Sequence, residues 1–298
     1  MKQLKAKILS NRKVGAGFYK MELASSYLAK ASRPGQFVEI RCSRLVDPLL
    51  RRPLGVHRIW TRGIDLLYEV TGKGTAILSE RRAGEELDVI GPLGNGFDLS
   101  LASDTNILVA GGIGVAPLAA LAESLRAKEH EALWVETCNF HSSERNPAPL
   151  ISAFKGGVSG RRDKKIYALI GAGTKSHIMC DAEFKSMGCD VRLSTDDGSR
   201  GYKGRVTEPL VKLLDKCKLE TYLPAFRRVT VYACGPTAML KVVSRIALER
   251  GIPCQVSLEE RMACGIGICL GCPVKTKAGP YKMVCKDGPV FNAEELAW

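Results

Sequence analysis

The sequence lacks any hydrophobic run that approaches the roughly 20 residues needed to cross a bilayer, so we expect no membrane span. Its first twenty residues are polar and lack the apolar segment and cleavage site of a secretory signal. Aromatic residues are scarce, at 6%, and do not interleave with the scattered lysines and arginines. Because proteins that stack nucleic-acid bases combine aromatic with basic side chains, the net charge of +13 does not indicate a nucleic-acid partner. We expect a cytoplasmic protein whose basic surface is either solvated or a docking face for an acidic partner or anionic cofactors.

Eleven cysteines in a chain without an export signal argue against disulfide bonds, because cytosolic thiols are kept reduced. Six of them stand apart in sequence, and we expect them to be small buried hydrophobic residues: Cys42, Cys138, Cys180, Cys189, Cys217 and Cys254. Cys234 lies in a Gly–Pro turn. The other four lie close together near the C-terminus, which indicates metal or redox chemistry in a cytosolic protein.

The four clustered cysteines lie in CGIGICLGC, residues 264–272, and at position 285. Their spacing, C-x4-C-x2-C-x12-C, matches the C-x4-C-x2-C…C spacing of plant-type [2Fe–2S] ligation. Three glycines (Gly265, Gly267 and Gly271) allow the backbone to curl around a cluster, because glycine tolerates positive φ and close approach. The predicted iron ligands are Cys264, Cys269, Cys272 and Cys285. Two alternatives stay open: a four-cysteine zinc site, which usually has two short paired knuckles, and a chance group of free thiols.

The hydrophobic pattern divides the chain into three parts. The first hundred residues contain short strand-like runs separated by Gly, Pro and Ser, which suits a small antiparallel barrel. From Thr105, apolar runs that end in Gly or Asp alternate with helical segments, which indicates a parallel α/β sheet. After Ile252 no regular periodicity is apparent, and such a tail needs a metal centre. We predict a β + α/β chain with a β-barrel at 1–100, an α/β domain at 101–251 and a cluster module at 252–298.

One stretch interrupts the predicted α/β domain. Residues 139–165 are polar, basic and rich in Gly and Pro, so we predict a loop insertion there. The preceding segment EALWVET, residues 131–137, is either an added edge strand or part of the same insertion.

Two glycine-containing turns follow predicted strands of the α/β domain. The turn AGGIGVAPL, residues 110–118, opens a helix, where free amides can hold a pyrophosphate. The turn YACGP, residues 232–236, lies at the end of a strand, where open α/β sheets bind ligands. The first turn is also compatible with tight packing alone, and Cys234 either lines a reactive pocket or is simply buried.

A third candidate site lies in the barrel half. The segment RRPLG, residues 51–55, places arginines beside a strand, and LYEVTGKGT, residues 67–75, ends in a G-x-G-T turn. Arginine charge and backbone amides together can hold a pyrophosphate. A solvated arginine pair is the alternative.

These pieces, in this order, resemble the ferredoxin–NADP reductase superfamily, which joins a flavin-binding barrel to a nicotinamide-binding α/β domain. The resemblance implies that the barrel binds FAD through Arg51, Arg52, Pro53, Leu54, Gly55, Leu67, Tyr68, Glu69, Gly74 and Thr75. It implies that the α/β domain binds NAD through Gly111, Gly112, Gly114, Pro117, Gly235 and Pro236. It also places Cys234 near the nicotinamide, as the implied catalytic residue.

Three further segments narrow the resemblance: TDDGSRGYKGRVTE at 195–208, SLEERMACGIGICLGC at 257–272 and VCKDGPVF at 284–291. They resemble the electron-transfer subunits of dihydroorotate dehydrogenase B. That family implies a catalytic partner subunit that oxidises dihydroorotate at FMN, in pyrimidine biosynthesis. Electrons then pass singly through the [2Fe–2S] centre to FAD, which passes a hydride to NAD+. The resemblance further implies a cluster at the subunit interface and a heterotetramer.

Three features depart from the pattern of that family. Gly55 stands where its flavin strand usually has Ser, residues 171–175 read GAGTK where it has GARTK, and the 139–165 insertion is not typical. Two other functions therefore stay open. One is a flavin iron–sulfur reductase subunit of another complex, such as an NADH-dependent ferredoxin:NADP oxidoreductase or a sulfide-linked enzyme. The other is a non-catalytic, zinc-stabilised binding protein.

Overall fold

The structure is a computed structural model that describes residues 1–43, 45–139, 164–220 and 229–298. Its N-terminal part is a closed antiparallel barrel with the strand order β1-β2-β5-β4-β3-β6. The strands are β1 (Lys2–Gly15), β2 (Phe18–Ala24), β3 (Phe37–Ile40), β4 (Arg52–Trp60), β5 (Gly63–Glu69) and β6 (Glu86–Leu93). Two short helices accompany them: α1 (Ser26–Ala31) and α2 (Lys73–Ser79).

The barrel forms because its strands alternate between apolar and polar residues. In β1, Ala6 and Ile8 are buried while Lys5 and Lys7 are exposed. Successive side chains of a strand point to opposite faces, so this alternation places one row of side chains in the barrel core and the other in solvent. The predicted antiparallel barrel is confirmed.

The second part is a sheet whose first six strands all pair in parallel, in the order β10-β9-β8-β7-β11-β12. The strands are β7 (Thr105–Gly111), β8 (Lys165–Ala172), β9 (Asp190–Thr195), β10 (Tyr202–Lys203), β11 (Val229–Cys234) and β12 (Cys254–Ser257). The helices are α3 (Val115–Asn139), α4 (Asp181–Ser186), α5 (Thr207–Glu220) and α6 (Thr237–Glu249). The strand order reverses between β7 and β11, and ligands bind at such a switch point in open α/β sheets.

The C-terminal part completes the sheet instead of standing apart from it. Strands β13 (Pro273–Val274) and β14 (Lys282–Met283) pair with each other as a small antiparallel sheet. The helix α7 (Val284–Asp287) then leads into β15 (Val290–Asn292). Strand β15 pairs antiparallel with β12 at the edge of the large sheet. The expectation of no regular structure after residue 252 was therefore wrong. Both β12 and β15 are too short to show a period in sequence, and they are stabilised by pairing with distant strands.

One core joins the three parts of the chain. Phe37 and Leu93 of the barrel belong to the same buried cluster as Val231 of β11 and two of the predicted ligands, Cys272 and Cys285. On the other face of the sheet, a second buried cluster also includes residues of both the barrel and the sheet. The boundaries predicted at residues 100 and 251 stay a prediction.

Two sequence expectations concern the C-terminal half of α3 and the residues that follow it. Residues 131–137 continue α3 as helix, so the expectation of an edge strand or loop there was wrong. A short apolar run can form a strand or a helix, and periodicity does not decide between them. The predicted insertion at 139–165 lies almost entirely outside the described residues. Among the described helices, none is both long and apolar enough to cross a membrane.

Candidate cofactor sites

A cavity of about 410 Å³ lies where the barrel, the sheet and the C-terminal segment meet. Its size is within the range of small-molecule and cofactor sites. The barrel contributes Arg52–Gly55 of β4 and Leu67–Glu69 of β5, the first turn of α3 contributes Ala116 and Pro117, and the C-terminal segment contributes 257–260. Residues that are more than 200 positions apart in sequence therefore face one space.

The two arginines of RRPLG have different surroundings. Arg52 lines the cavity, whereas Arg51 forms an ion pair with Asp88 of β6, with 2.9 Å between its Nη2 and Oδ1. Arg51 also donates to the Asp88 carbonyl at 2.9 Å. Both acceptors lie on β6, outside the cavity lining, so Arg52 is the better placed of the two to meet an anionic ligand. The roles of both arginines in cofactor binding stay predictions.

The G-x-G-T segment forms the start of α2, where the sequence predicted a turn. Thr75 lines the cavity, and its Oγ1 accepts hydrogen bonds from the amides of Thr71 and Gly72 at 3.0 and 3.3 Å. A Cβ atom at Gly74 would lie 2.6 Å from Arg52 Nε. Gly74 is therefore required for the approach of the Arg52 guanidinium to the helix.

The two glycine turns of the α/β domain pack against each other at the switch point. A Cβ atom at Gly114 would lie 2.3 Å from the Cys234 carbonyl oxygen, and one at Gly235 would lie 2.9 Å from the Gly111 backbone. Gly112 has a φ of +55°, which disfavours other residues. Of the predicted residues in these turns, Pro117 and Cys234 line the cavity. Close packing thus accounts for three of the glycines, and their part in NAD binding stays a prediction.

Gly55, at the position where the related family usually has Ser, lies on β4 opposite helix α3. A Cβ atom at this position would meet only Pro117 Cβ, at the ordinary contact distance of 3.9 Å. The packing of the described residues therefore leaves room for a serine.

Cys234 is a buried thiol, with 1% of its surface exposed. Burial raises its pKa, and the nearby Glu259 carboxylate raises it further, more than the Ser257 hydrogen bond lowers it. A thiol in this environment stays protonated, whereas a nucleophilic cysteine requires a lowered pKa. Its position in the cavity agrees with a role in contacting a ligand, and the catalytic role stays a prediction.

Sequence reasoning missed about half of the cavity lining. The missed residues are Gly35, Phe37, Thr71, Ile113, Ala116, Ser257, Leu258, Glu259, Glu260, Met262 and Pro289. Glu259 faces the cavity, and burial followed by the neighbouring Glu69 carboxylate raises its pKa. A local signal was present for 257–262, because these residues directly precede the cysteine segment.

The cysteine segment forms a tight loop around its own thiols. Gly265 and Gly267 have positive φ values of +69° and +82°, as the sequence suggested, and the other positive value belongs to Leu270, at +56°, and not to Gly271. Four backbone amides point at cysteine sulfur atoms, among them Gly267 N at 3.1 Å from Cys285 Sγ. Such amides stabilise negative charge on sulfur, which is the state of a cysteine that ligates a metal.

The four thiols are arranged as two pairs. Cys264 interacts with Cys269, and Cys285 with Cys272. The Cys272 and Cys285 pair is buried, whereas Cys269 is exposed. No three of these four sulfur atoms, all in described residues, lie within 4.8 Å of one another. A tetrahedral zinc ion with Zn–S bonds of about 2.3 Å would hold its sulfurs about 4 Å apart, whereas two pairs match a centre with two irons.

Cys264 of the outer pair and Cys285 of the inner pair differ in acidity. Burial raises the pKa of Cys264, but the amides of Cys269 and Ile266 lower it more, so that it falls to about 6. Burial and the adjacent Cys272 raise the pKa of Cys285 to about 12. Cys285 therefore requires a nearby positive charge to become a thiolate, and two iron ions would supply it.

Glu39 of β3 links the cysteine loop to the barrel. It is 1% exposed, and within the described residues neither of its carboxyl oxygens has a hydrogen-bond partner. Burial raises its pKa to about 7, although Arg51 lowers it. A Cβ atom at Gly265 would lie 2.6 Å from Glu39 Cγ, which explains why the first residue after Cys264 is a glycine.

Comparisons with known proteins identify the family. Residues 259–297 match the model of the iron–sulfur cluster binding domain of dihydroorotate dehydrogenase B, and residues 108–245 match that of the oxidoreductase NAD-binding domain. The dihydroorotate dehydrogenase B (NAD(+)) electron transfer subunit of Desulforamulus reducens is 35% identical over 298 residues, which cover 98% of this chain and 97% of the relative. This chain belongs to the dihydroorotate dehydrogenase B electron-transfer subunits. The family resemblance drawn from the cysteine segment is confirmed.

A second relative agrees with this membership, and two solved structures share the fold. The electron transfer subunit of Caldanaerobacter subterraneus subsp. tengcongensis is 34% identical, with 99% of this chain and 98% of the relative covered. A chain of the NADH-dependent reduced ferredoxin-NADP oxidoreductase superposes with a TM-score of 0.73 and 30% identity, covering 98% of this chain and 90% of that one. Phthalate dioxygenase reductase shares the fold, with a TM-score of 0.54 and 20% identity over 82% of this chain and 64% of that one.

Substitution of a single cluster cysteine tests the ligand set of this family member. We expect Cys272→Ser to abolish the iron content and the visible absorbance of a [2Fe–2S] cluster, because the inner iron loses one of its two protein ligands. The control is Cys189→Ala, which removes a buried thiol outside the cysteine loop and leaves iron content unchanged. Iron and sulfide analysis with electron paramagnetic resonance of the reduced protein measures the effect. Full iron content in the Cys272 variant would contradict the assignment.

Enlargement of one glycine tests the nucleotide turns. We expect Gly114→Ala to weaken NAD+ binding at least about tenfold, or about 1.4 kcal/mol, because the new methyl group collides with the Cys234 carbonyl and separates the turns. The matched control is Gly173→Ala, since a Cβ at Gly173, just after β8, has nothing within 4 Å. Calorimetric titration with NAD+ gives both affinities. Equal affinities in the two variants would show that the contact of the turns is irrelevant to the dinucleotide.

Proposed function

We propose that this chain is the electron-transfer subunit of a dihydroorotate dehydrogenase B complex. A partner subunit with FMN oxidises dihydroorotate to orotate, and two electrons and a proton reach NAD+ to give NADH. A [2Fe–2S] cluster and FAD, when bound, supply the one-electron and two-electron chemistry between the two substrates. The observation that carries the proposal is that a cavity of cofactor-site size, two glycine turns at the switch point of the sheet and a cysteine loop with two pairs of thiols meet in one core.

The residues of this chain would divide the work as follows. The cavity-lining segment Arg52–Gly55 of β4 would hold FAD together with Leu67–Glu69 and Thr75. Arg52 would bind the anionic part of FAD. The turns after β7 and β11 would bind the NAD pyrophosphate and direct the nicotinamide toward the cavity. Met262 and Glu260 line the cavity two and four residues before Cys264, so the chain itself links the flavin site to the cluster.

Exposed apolar side chains on the cysteine loop support docking of the partner subunit at this loop. Ile268 and Leu270 flank the exposed Cys269, and 75% and 65% of their surfaces are accessible. Exposed apolar side chains around a metal centre favour a protein interface. We infer that the catalytic subunit docks over this loop in a hetero-oligomer, so that its FMN faces the outer iron. Basic residues beside the loop, Arg261 and Lys282, would add an electrostatic contribution to docking.

We also infer that the complex works in the cytoplasm. The ten cysteines that the structure describes are all free, including buried ones outside the cluster loop. Free thiols persist in a reducing compartment.

The 30% identity with a chain of the NADH-dependent reduced ferredoxin-NADP oxidoreductase supports a second candidate function, as a reductase subunit of such a complex. Curated electron-transfer subunits with 35% identity and the match to the dihydroorotate dehydrogenase B cluster domain favour the first.

Co-purification tests the proposed function directly. We expect the chain, expressed with its catalytic subunit, to contain one FAD and two irons and to reduce NAD+ with dihydroorotate. NADP+ and ferredoxin are offered to the same preparation as alternative acceptors. Reduction of ferredoxin without dihydroorotate oxidation would support the second candidate, and a colourless preparation without iron or flavin would exclude both.

A charge placed on the cluster loop tests the docking surface. We expect Leu270→Asp to weaken subunit association at least about tenfold, because a carboxylate would be buried in an apolar interface. Aspartate also tolerates the positive φ of this position. Leu9→Asp, at an exposed apolar site on β1, is the control and keeps full affinity. Sedimentation gives the affinities, and iron and FAD content verify folding. Unchanged affinity of the Leu270 variant would place the partner elsewhere.

A further inference from the structure

A group of charged side chains joins the barrel to the α/β domain beside the cavity without lining it. Three are cationic or basic and three are acidic: Lys20, His57, Arg58, Asp65, Glu123 and Glu183. Strands β2, β4 and β5 of the barrel contribute four of them, and helices α3 and α4 contribute the two glutamates. Each ion pair apart from Lys20–Asp65 crosses between the two parts of the chain.

His57 lies at the centre of this group and is completely buried. Its Nδ1 is 2.9 Å from the Ala116 carbonyl oxygen, and its Nε2 is 3.2 Å from Glu183 Oε2. The ring therefore bridges the two parts of the chain, because Nδ1 faces the backbone of α3 and Nε2 faces the Glu183 side chain on α4.

The neighbours of His57 keep Glu183 ionised. Lys20 Nζ and Arg58 Nη1 lie 3.2 and 3.3 Å from its second oxygen, Oε1. Burial alone would raise the pKa of Glu183, but the hydrogen bond and charge of His57, with Lys20, lower it to about 2. Asp65 balances Lys20 at 3.3 Å, and Glu123 accepts from Arg58 Nε at 2.8 Å.

A metal ion is the other occupant to consider, because ligand atoms of His57, Cys180 and Glu183 lie within 4.8 Å of one another. A divalent cation would have to share Glu183 with Lys20 and Arg58, at distances where like charges repel strongly. Burial also raises the pKa of Cys180, which opposes the thiolate that a metal needs. The Lys20 ammonium and the Arg58 guanidinium already supply the positive charge that a metal would bring.

The position of His57 in the fold gives it a functional consequence. It follows Gly55 by two residues on β4, the strand that lines the flavin cavity. Gly55 faces Pro117 of the nucleotide turn, and Ala116 directly precedes Pro117. Ala116 lines the cavity too. Hydride transfer requires the reacting atoms within about 3.5 Å, and a displacement of about 1 Å can cost 100-fold in rate.

We propose that His57 is a positioning residue that ties the flavin strand β4 to the first turn of α3 and to α4, and so sets the distance between flavin and nicotinamide. It touches neither of them. The expected effect of His57 on the rate rests on the proposed function. The role of His57 in connecting the barrel to the α/β domain does not depend on that function.

Two conservative variants each keep one of the two contacts that the ring nitrogens of His57 make. His57→Asn places an amide donor near the position of Nδ1 and keeps the Ala116 contact, whereas His57→Gln places one near Nε2 and keeps the Glu183 contact. His57→Ala removes both. The control is Asp215→Asn, which breaks an exposed ion pair with Arg250, 3.3 Å long, far from the interface.

The assembled complex is used for stopped-flow reduction of its flavin by NADH and for NAD+ titration. We expect His57→Ala to slow flavin reduction at least about tenfold while the Kd for NAD+ stays within about threefold and FAD content is unchanged. His57→Asn should recover more of the rate than His57→Gln, because Ala116 adjoins the nucleotide turn. Glu183→Gln should slow the reaction less, and Glu183→Gln combined with His57→Ala should be no slower than His57→Ala alone. A rate in His57→Ala equal to that of wild type and Asp215→Asn would overturn the proposal.

Hydrogen exchange provides a readout that does not depend on catalysis. We expect amides of residues 112–120 to exchange at least about fivefold faster in His57→Ala than in wild type or Asp215→Asn, with partial recovery in His57→Asn. If wild-type flavin is not reduced by NADH, the proposed function fails, and this measurement still decides whether His57 connects the domains. Unchanged exchange in His57→Ala would show that it does not.

Discussion

Strand β4 of the barrel lies against the first turn of helix α3, and Gly55 comes close to Pro117 where they meet. Each element contributes one wall of the cavity, so the position of the flavin strand relative to the nucleotide turn depends on this contact. The buried His57, two residues further along β4, holds this contact from behind. An apolar contact alone would let the two parts slide, whereas hydrogen bonds to Ala116 and Glu183 have defined directions.

The cysteine loop depends on the same core for a different reason. Its residues contain too little apolar surface to fold alone, and its inner thiols repel each other once they ionise. The structure solves both problems by placing Cys272 and Cys285 among Phe37, Leu93 and Val231, which come from the barrel and the sheet. The outer pair faces solvent. A centre with one buried and one exposed side is suited to pass charge between an interior site and a docked protein.

The sequence predicted the elements whose information is local. Apolar runs that end in Gly or Asp marked β7, β8, β9 and β11, because buried parallel strands are rich in apolar residues and their loops must turn sharply. The same reasoning failed for residues 131–137, where a short apolar run continues a helix. It also failed for β12 and β15, because strands of three or four residues are stabilised by partners that are distant in sequence.

The chain by itself determined the ligand spacing of the cluster, the glycines that its loop and turns require and the order of barrel, sheet and cysteine segment. These features depend on neighbouring residues and on backbone sterics, which a sequence displays directly. Only the tertiary structure decided that Arg52 and not Arg51 lines the cavity, that residues 257–262 close it, and that His57 meets Ala116 and Glu183. The residues that meet there are more than 100 positions apart in several cases, as are His57 and Glu183 with a separation of 126, and the physical reason is that burial and charge pairing act through space after the core has formed.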